Sequence, residues 1–226
     1  MGGPAMTARD LYSFLEDLAA NNNREWFAAN RDRYDAVRAW WLGQVQILID
    51  HLGQYDPSVR HVEAPSCAYR IYRDTRFSSD KTPYKTYFSA LISPRGRHYD
   101  GACYYLHQGV DENALYGGLW CPEPKVLRKL RKAIIDNVDE FRSIVETPEV
   151  LAAYPEWWGR KLKTAPKGYD RDHPDIDLLR LTEYGRCHDA GRDFFATPGW
   201  QAEAARIFAL LRPMNDFLNY SIEEDV

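Results

Sequence analysis

Residues 102–121, Ala-Cys-Tyr-Tyr-Leu-His-Gln-Gly-Val-Asp-Glu-Asn-Ala-Leu-Tyr-Gly-Gly-Leu-Trp-Cys, contain the pattern that decides the fold. Residues 102–108 and 114–121 are each typical of a short strand, and a polar turn around 111–113 joins them. Strands joined by so short a turn pair antiparallel. This stretch therefore predicts the centre of an antiparallel meander.

Two more strands are predicted immediately before it. Residues 67–72 alternate in the manner of a strand, and residues 86–93 form a second strand-like run. Between them a basic, polar stretch crosses Pro83 and is predicted as a loop. Turn signals at 94–97 then lead into the meander.

Helices are predicted on both sides of this run of strands. Helical spacing of apolar residues indicates two helices before it and several after it. Residues 178–187 are predicted as a short helix or strand. The boundary signals are Thr7 as an N-cap, an Asn22–Glu25 capping box, Asp56-Pro57, Pro122, Thr197-Pro198 and Pro213.

The pattern predicts an α+β fold, with a central antiparallel sheet of about four to six strands flanked by N- and C-terminal helices. We expect one domain over 7–220, with a flexible leader at 1–6 and an acidic, frayed tail at 221–226. The 226 residues are 45% hydrophobic and 27% charged, which is ordinary for a globular protein. A helical N-terminal subdomain is the alternative.

The overall charge narrows the classes of partner. There are 29 basic and 33 acidic residues, a net charge of −4, which argues against a protein that coats nucleic acid. No apolar run approaches the roughly 20 residues of a membrane span, so no membrane association is expected. The cysteines form no C-x-x-C pair and predict reduced thiols in a cytoplasmic protein. They are Cys67, Cys103, Cys121 and Cys187.

Against this acidic background, residues 70–86 form a local basic block. Five cations face two anions within 17 residues. Arginine suits bidentate contact with carboxylate or phosphate, so the block suggests a place where an anion is held. The charged residues are Arg70, Arg73, Arg76, Lys81 and Lys85, with Asp74 and Asp80.

The block allows two interpretations that are not exclusive. In one, its cations form a pocket for a phosphate or carboxylate. In the other, Asp74 and Asp80 pair with Arg70, Arg73 or Lys85 and hold the loop in shape. We expect Arg70, Arg73 and Lys85 to converge with one of the two aspartates.

A second basic stretch and two aromatic residues complete the predicted ligand-binding set. Lys163 and Lys167 lie in a segment whose Pro-Lys-Gly turn can aim Lys167 inward. We expect residues 163–169 to approach the block in space. Tyr84 and Trp120 are candidates for stacking on a ligand, although a core role is the commoner one for such residues.

No catalytic signature is present, so catalytic candidates are weak. Asp74 and Asp80 could form an acid/base pair, and His107 could be a general acid or base near neutral pH. A metal site is not expected, because five cations oppose the binding of another. No cofactor is expected, since the nucleotide-binding and metal motifs are absent.

Four motifs resemble the domain-of-unknown-function family 2461 (DUF2461) of conserved hypothetical proteins, over roughly 11–218. Thr75 departs from that pattern, where Val is expected. The resemblance implies one domain and carries no activity, cofactor or catalytic residue. The motifs are Asn22-Asn-Arg-Glu-Trp-Phe with Asn30-Arg31 and Tyr34, Arg70-Ile-Tyr-Arg-Asp-x-Arg-Phe-Ser-x-Asp-Lys-x-Pro-Tyr-Lys, Gly117-Gly-Leu-Trp-x-Pro-Glu-Pro, and Leu162-Lys-x-Ala-Pro-Lys-Gly-Tyr with His173-Pro174.

From the residues alone we expect a domain that binds a small phosphate- or carboxylate-bearing ligand through the basic block, without metal. The alternative is a non-enzymatic interaction module whose block receives an acidic segment of a partner protein. Stacking of single-stranded nucleic acid on the aromatic residues is a third hypothesis, and the acidic balance counts against it.

Overall fold

The computed structural model describes residues 6–223, and its strands form one five-stranded antiparallel sheet in the order β1-β2-β3-β5-β4. This confirms the predicted α+β class and the predicted number of strands. The strands are β1 (Tyr87–Ile92), β2 (Cys103–Gly109), β3 (Asn113–Leu119), β4 (Trp157–Trp158) and β5 (Tyr184–Asp189).

The structure describes eleven α-helices within residues 6–223. They are α1 (Ala8–Ala20), α2 (Arg24–Ala29), α3 (Arg31–Tyr55), α4 (Ala64–Cys67), α5 (Pro124–Asp136), α6 (Val138–Val145), α7 (Pro148–Ala153), α8 (Ile176–Leu179), α9 (Gly191–Ala196), α10 (Trp200–Ala209) and α11 (Arg212–Glu223). The segment 178–187 thus contributes to both a helix and a strand. Helix α11 takes in 221–223 of the expected tail, while 224–226 and 1–5 of the expected leader lie outside the described residues.

The described chain forms two compact units. The first contains residues 6–98, 105–115 and 189–206, and the second contains 99–104, 116–188 and 207–223. The expectation of a single domain over 7–220 stays a prediction.

The core of the first unit lies between α3 and the strands β1 and β2. Trp41 of α3 packs on Phe88 of β1 with ring centroids 5.2 Å apart. The Trp41 indole N–H donates to Gln108 Oε1 at 2.7 Å, and both side chains are 1% exposed. Along β2, Leu106 and Gln108 are buried while His107 between them is half-buried. One face of β2 is therefore core, and its other, more open face carries half-buried side chains such as His107.

The core of the second unit contains a buried arginine. Arg186 donates to the carbonyl of Tyr154 at 2.8 Å and to that of Val145 at 3.0 Å. Its guanidinium also lies 4.1 Å from the ring centroid of Trp157. The buried cation thus joins β5 to the ends of α6 and α7, a structural task that needs its long side chain.

The predicted strand over 67–72 is wrong. Helix α4 occupies its start, and only isolated bridges follow, between Ala68 and Ala90 and between Tyr72 and Tyr84. Arg73 donates its backbone N–H to the carbonyl of Pro83 at 2.9 Å. Because proline has no N–H to return, the ladder cannot continue as a regular strand pair.

The predicted capping box at Asn22 is also wrong. Thr7 does begin α1, and its backbone N–H donates to the Asp10 carboxylate at 2.8 Å. At α2, however, the N-cap is Asn23, whose side chain accepts from the backbone N–H of Trp26 at 2.9 Å. Since adjacent asparagines are equally good caps, the local sequence could not choose between them. Asn22 is thereby left for a long-range contact.

Candidate functional site

Asn22 fixes the loop that carries the basic block. Its side-chain amide donates to the carbonyl of Tyr84 at 3.0 Å, and its side-chain oxygen accepts the Tyr84 backbone N–H at 3.1 Å. Both backbone groups of Tyr84 are therefore satisfied by one side chain from the turn between α1 and α2. Sequence reasoning missed this role, because a contact across 62 residues leaves no local pattern.

Neighbouring contacts hold the same loop against α2 and the segment at Ile71. The Tyr84 ring stacks on Phe27 of α2 with centroids 4.0 Å apart and is buried. The backbone N–H of Lys85 donates to the carbonyl of Ile71 at 2.8 Å. Tyr84, predicted to stack on a ligand, thus has its ring packed on Phe27. The result is a site whose polar side chains stand on a fixed backbone.

Two of the five cations of the block pair with its aspartates. Arg73 forms an ion pair with Asp80 through Nη1, which also hydrogen-bonds the Thr82 hydroxyl. Arg76 pairs with Asp74 at 2.6 Å, in a more exposed position. The structural interpretation of the block is therefore correct for Arg73 and Asp80, while the pair of Arg76 with Asp74 lies outside the predicted pairings. Both ion pairs brace the loop.

These contacts lower the pKa of both carboxyls. Hydrogen bonds from the Arg76 side chain lower the pKa of Asp74 to about 2, and the Thr82 backbone N–H, followed by Arg73, lowers the pKa of Asp80 to about 2. Carboxyls with such pKa values hold almost no proton at neutral pH. The geometry therefore does not favour either aspartate as a general acid.

The predicted convergence of Arg70 and Lys85 on an aspartate is wrong. Within residues 6–223, neither side chain forms an ion pair. Lys81 donates to the Thr75 carbonyl at 2.9 Å, which leaves its charge unneutralised. Because the two aspartates of the block form ion pairs only with Arg73 and Arg76, the excess positive charge of the block lies on Arg70, Lys81 and Lys85.

A cavity of about 510 Å³ opens beside this loop in the first unit. Its lining combines cations, anions and polar groups from the α1–α2 turn, the loop and the start of β1. The lining residues are Ala19, Asn22, Arg73, Asp74, Asp80, Thr82, Tyr84, Lys85, Thr86 and Tyr87. A volume of this size is typical of sites for small molecules.

Lys85 is the half-buried cation in the cavity wall. Its ammonium lies 5.3 Å from the ring centroid of Tyr69 and 5.6 Å from that of Tyr87. Burial lowers the Lys85 pKa, and the charge of Arg70 lowers it further. The two rings offer cation–π contacts, which are modest and carry no net negative charge. The site therefore contains a cation that the protein itself does not neutralise.

His107 lies on the open face of β2, next to Tyr87. The His107 and Tyr87 rings stack with centroids 4.2 Å apart, and His107 Nε2 is 3.8 Å from Glu112 Oε2. Burial lowers the His107 pKa, with Lys85 adding to the effect and Glu112 opposing it. The imidazole is therefore neutral at neutral pH. Side chains alternate between the two faces of a strand, so Tyr105, two residues before His107, lies on the same face of β2. This alternation is a signal that the sequence alone could have provided.

The other predicted ligand-binding residues belong to the second unit. Lys163 and Lys167 are both exposed, and the predicted turn is present, with the Tyr169 N–H donating to the Pro166 carbonyl at 3.2 Å. Trp120 is 62% exposed and stacks on Trp158 with centroids 4.0 Å apart. Their approach to the basic block stays a prediction.

The described chain lacks the features of two other kinds of site, a metal centre and a membrane-spanning helix. Residues 6–223 contain no group of three or more His, Cys, Asp or Glu side chains arranged to hold a metal ion. None of the helices described for those residues has both the length and the apolar character that a bilayer crossing requires.

Comparison with known proteins identifies one family. The family described as "Conserved hypothetical protein (DUF2461)" matches residues 10–217, which is most of the chain. Searches of the curated proteins and of the solved structures find no match. The family match agrees with the resemblance carried by the motifs, including those that supply Asn22 and the basic block.

Proposed function

Because the chain belongs to the DUF2461 family of conserved hypothetical proteins, whose description names no activity, we propose a function from the geometry of its cavity. The protein binds a small phosphate- or carboxylate-bearing ligand in the cavity beside Lys85. The proposal requires no metal in the site. The free cysteines support a reducing, cytoplasmic location as part of the same proposal.

The observation that carries the proposal is the uncompensated charge of Lys85. A unit anion 4 Å from its ammonium gains about 4 kcal/mol at the effective dielectric of a partly buried pair, before desolvation is subtracted. The same contact at exposed Lys81 gains about 1 kcal/mol in bulk water. Of these two lysines, Lys85 is therefore the one whose contact with an anionic ligand contributes more to the free energy of binding.

Arg73 supports the same ligand. Its contacts to Asp80 and Thr82 both use Nη1, so Nε and Nη2 are left to donate into the cavity. The ion pair with Asp80 also limits the movement of the guanidinium, which reduces the entropy lost when a ligand binds. Asn22 and Tyr87 add neutral polar groups to the lining.

Calorimetric titration with inorganic phosphate, adenosine monophosphate and succinate tests the proposal. Replacing Lys85 by Met should weaken binding by about 10- to 150-fold, the effect of losing one charge-assisted hydrogen bond. The matched control, Lys81→Met, removes the same charge from the exposed tip and should change the affinity by less than about threefold. Affinity should also fall as the pH rises through the Lys85 pKa, because the neutral amine loses its attraction for the anion.

Two results would contradict the proposal. One is the absence of any binding heat for all three ligands at millimolar concentration. The other is an equal loss of affinity in the Lys85 and Lys81 variants, which would indicate a diffuse surface effect.

A second candidate function rests on the tip of the loop. Phe77 is 96% exposed, and the Arg76 guanidinium lies 5.9 Å from its ring centroid. An exposed aromatic ring beside Arg76 and Lys81 suits an acidic partner segment that also carries an apolar residue. Fluorescence anisotropy with a Glu- and Leu-rich peptide tests this: Phe77→Ser should abolish binding while Lys85→Met leaves it unchanged. The opposite pattern would favour the cavity.

A further inference from the structure

The environment of Lys85 suits a reactive amine as well as a binding cation. A lysine becomes nucleophilic when a larger fraction of its amine is unprotonated at working pH. Desolvation and a neighbouring cation are two general ways to achieve this, and both act on Lys85, through burial and through Arg70. No carboxylate of residues 6–223 lies within ion-pairing distance to oppose them.

The geometry also presents the amine to a ligand. Lys85 and Tyr87 line the cavity together, and the side chain of Lys85 is held over the rings of Tyr69 and Tyr87. A protonated imine is a cation of the same sign as the ammonium, so it keeps its attraction to both ring faces. Burial keeps Tyr87 a neutral phenol by raising its pKa. The ring pair therefore suits the amine before and after reaction.

We propose that Lys85 forms an imine with an aldehyde or ketone group of the anionic ligand, an inference that rests on the proposed function. The amine nitrogen attacks the carbonyl carbon and gives a carbinolamine. In the carbinolamine one N–H proton has passed to the former carbonyl oxygen. That hydroxyl leaves with the remaining N–H proton as one water, and a C=N bond replaces C=O. The imine nitrogen then takes a proton from solvent and becomes the protonated imine. Oxidation states do not change, and water reverses the step.

Different residues of the cavity lining can serve the anionic group and the carbonyl of such a ligand. Arg73 offers its remaining donors to the phosphate or carboxylate, while Lys85 stands at the carbonyl. Asp74 and Asp80 brace the loop without neutralising the amine, because each is already paired with an arginine. The ligand class is thus a carbonyl compound that carries a phosphate or carboxylate.

Trapping on the full-length protein tests the inference. The probes are pyridoxal 5′-phosphate and pyridoxal, which differ by the anionic group, with cyanoborohydride to reduce any imine and peptide mapping by mass spectrometry. We expect the 5′-phosphate to label Lys85 at least about tenfold faster than Lys81, and inorganic phosphate to protect Lys85. Labelling of Lys85 should rise with pH and reach its midpoint below the ordinary lysine value of 10.5, because only the unprotonated amine reacts.

Variants separate this inference from the proposed function. Lys85→Arg keeps a positive charge but removes the amine, so it should form no adduct at position 85, and calorimetric titration with inorganic phosphate measures separately how far anion binding changes. Lys81→Arg, the matched control, should leave labelling of Lys85 unchanged. Since the distribution of label in the natural protein is itself a result, the test does not depend on the folding of either variant.

Each remaining outcome has a defined meaning. Phosphate binding without an adduct at Lys85 overturns the inference and leaves the proposed function standing. Label spread over the eight lysines of the chain according to their exposure overturns it too. Equal labelling of Lys85 by pyridoxal and its 5′-phosphate also overturns it, because the ligand is required to be anionic. Absence of phosphate binding contradicts the proposed function, and the inference that rests on it falls with it.

Discussion

Replacing Asn22 by Ala should open the loop that carries the site while leaving most of the protein folded. The substitution removes two hydrogen bonds, of 3.0 and 3.1 Å, to the backbone of Tyr84. Each is worth about 0.5–1.5 kcal/mol, so the loss is about 1–3 kcal/mol. Tyr84 is only 5% exposed, and water reaches its backbone groups poorly, which favours the upper half of that range.

The expected loss can be measured locally by hydrogen exchange. The backbone N–H groups of Arg73 and Lys85 bond to the carbonyls of Pro83 and Ile71 at 2.9 and 2.8 Å, so they report opening of the loop. A cost of 1–3 kcal/mol should speed their exchange by about 5- to 150-fold. Affinity for inorganic phosphate should fall in the same variant, since Lys85 is then less well positioned.

Two further variants make this prediction sharp. Asn22→Asp keeps an acceptor for the Tyr84 N–H but loses the donor to its carbonyl, so its exchange should lie between those of Asn22→Ala and the natural protein. Asn21→Ala, the control, removes one exposed contact to the Asp17 carbonyl and should leave the loop unchanged. Unchanged exchange at Arg73 and Lys85 in Asn22→Ala would refute the reasoning.

Three other predictions concern pH and the core. The amide signals of the loop should titrate with midpoints near pH 2, because the folded pKa values of Asp74 and Asp80 are about 2 against an ordinary 3.8. The contribution of the two carboxylates to loop stability is complete above pH 3.8 and is lost as the pH falls through 2. Midpoints near 3.8 would contradict the two ion pairs. The free energy of unfolding should fall below pH 6.5, because the folded pKa of His107 is lowered and the unfolded chain takes up the proton first. The substitution His107→Gln should make that fall less steep. If the variant and the natural protein show the same pH dependence in denaturant titrations, the result counts against the burial of His107. Trp41→Phe should lower the free energy of unfolding in those titrations by about 1–3 kcal/mol, because the buried Gln108 oxygen loses its hydrogen-bond donor. A second change, Gln108→Leu, should restore part of that free energy. An unchanged free energy of unfolding in the single variant would contradict the hydrogen bond.

The basic block shows how one stretch can have two roles. Its aspartates brace the loop by pairing with Arg73 and Arg76, while Lys85 is held at the cavity without a carboxylate partner. A lysine in that position carries a desolvation cost that no carboxylate of residues 6–223 offsets through an ion pair. Such a cost is typical of functional sites, where perturbed groups are retained for binding or chemistry.

Local sequence determined the class of the fold and the position of the block. Short strands with short turns specify an antiparallel meander, and the predicted strands at 86–93, 102–108 and 114–121 correspond to β1, β2 and β3. These features depend on period-two patterning and on turn residues, which act over a few positions. The excess of cations over residues 70–86 is likewise visible in the sequence, because it follows from the number of charged residues there.

Only the tertiary structure decided which residues of the block are available to a ligand. The sequence offered two aspartates to five cations, and the fold paired them with Arg73 and Arg76 instead of Arg70 and Lys85. It also gave Asn22 to Tyr84 and left the capping of α2 to Asn23. Ion pairing and long-range hydrogen bonding depend on distances of a few ångströms between residues far apart in the chain, and local patterns do not encode such distances.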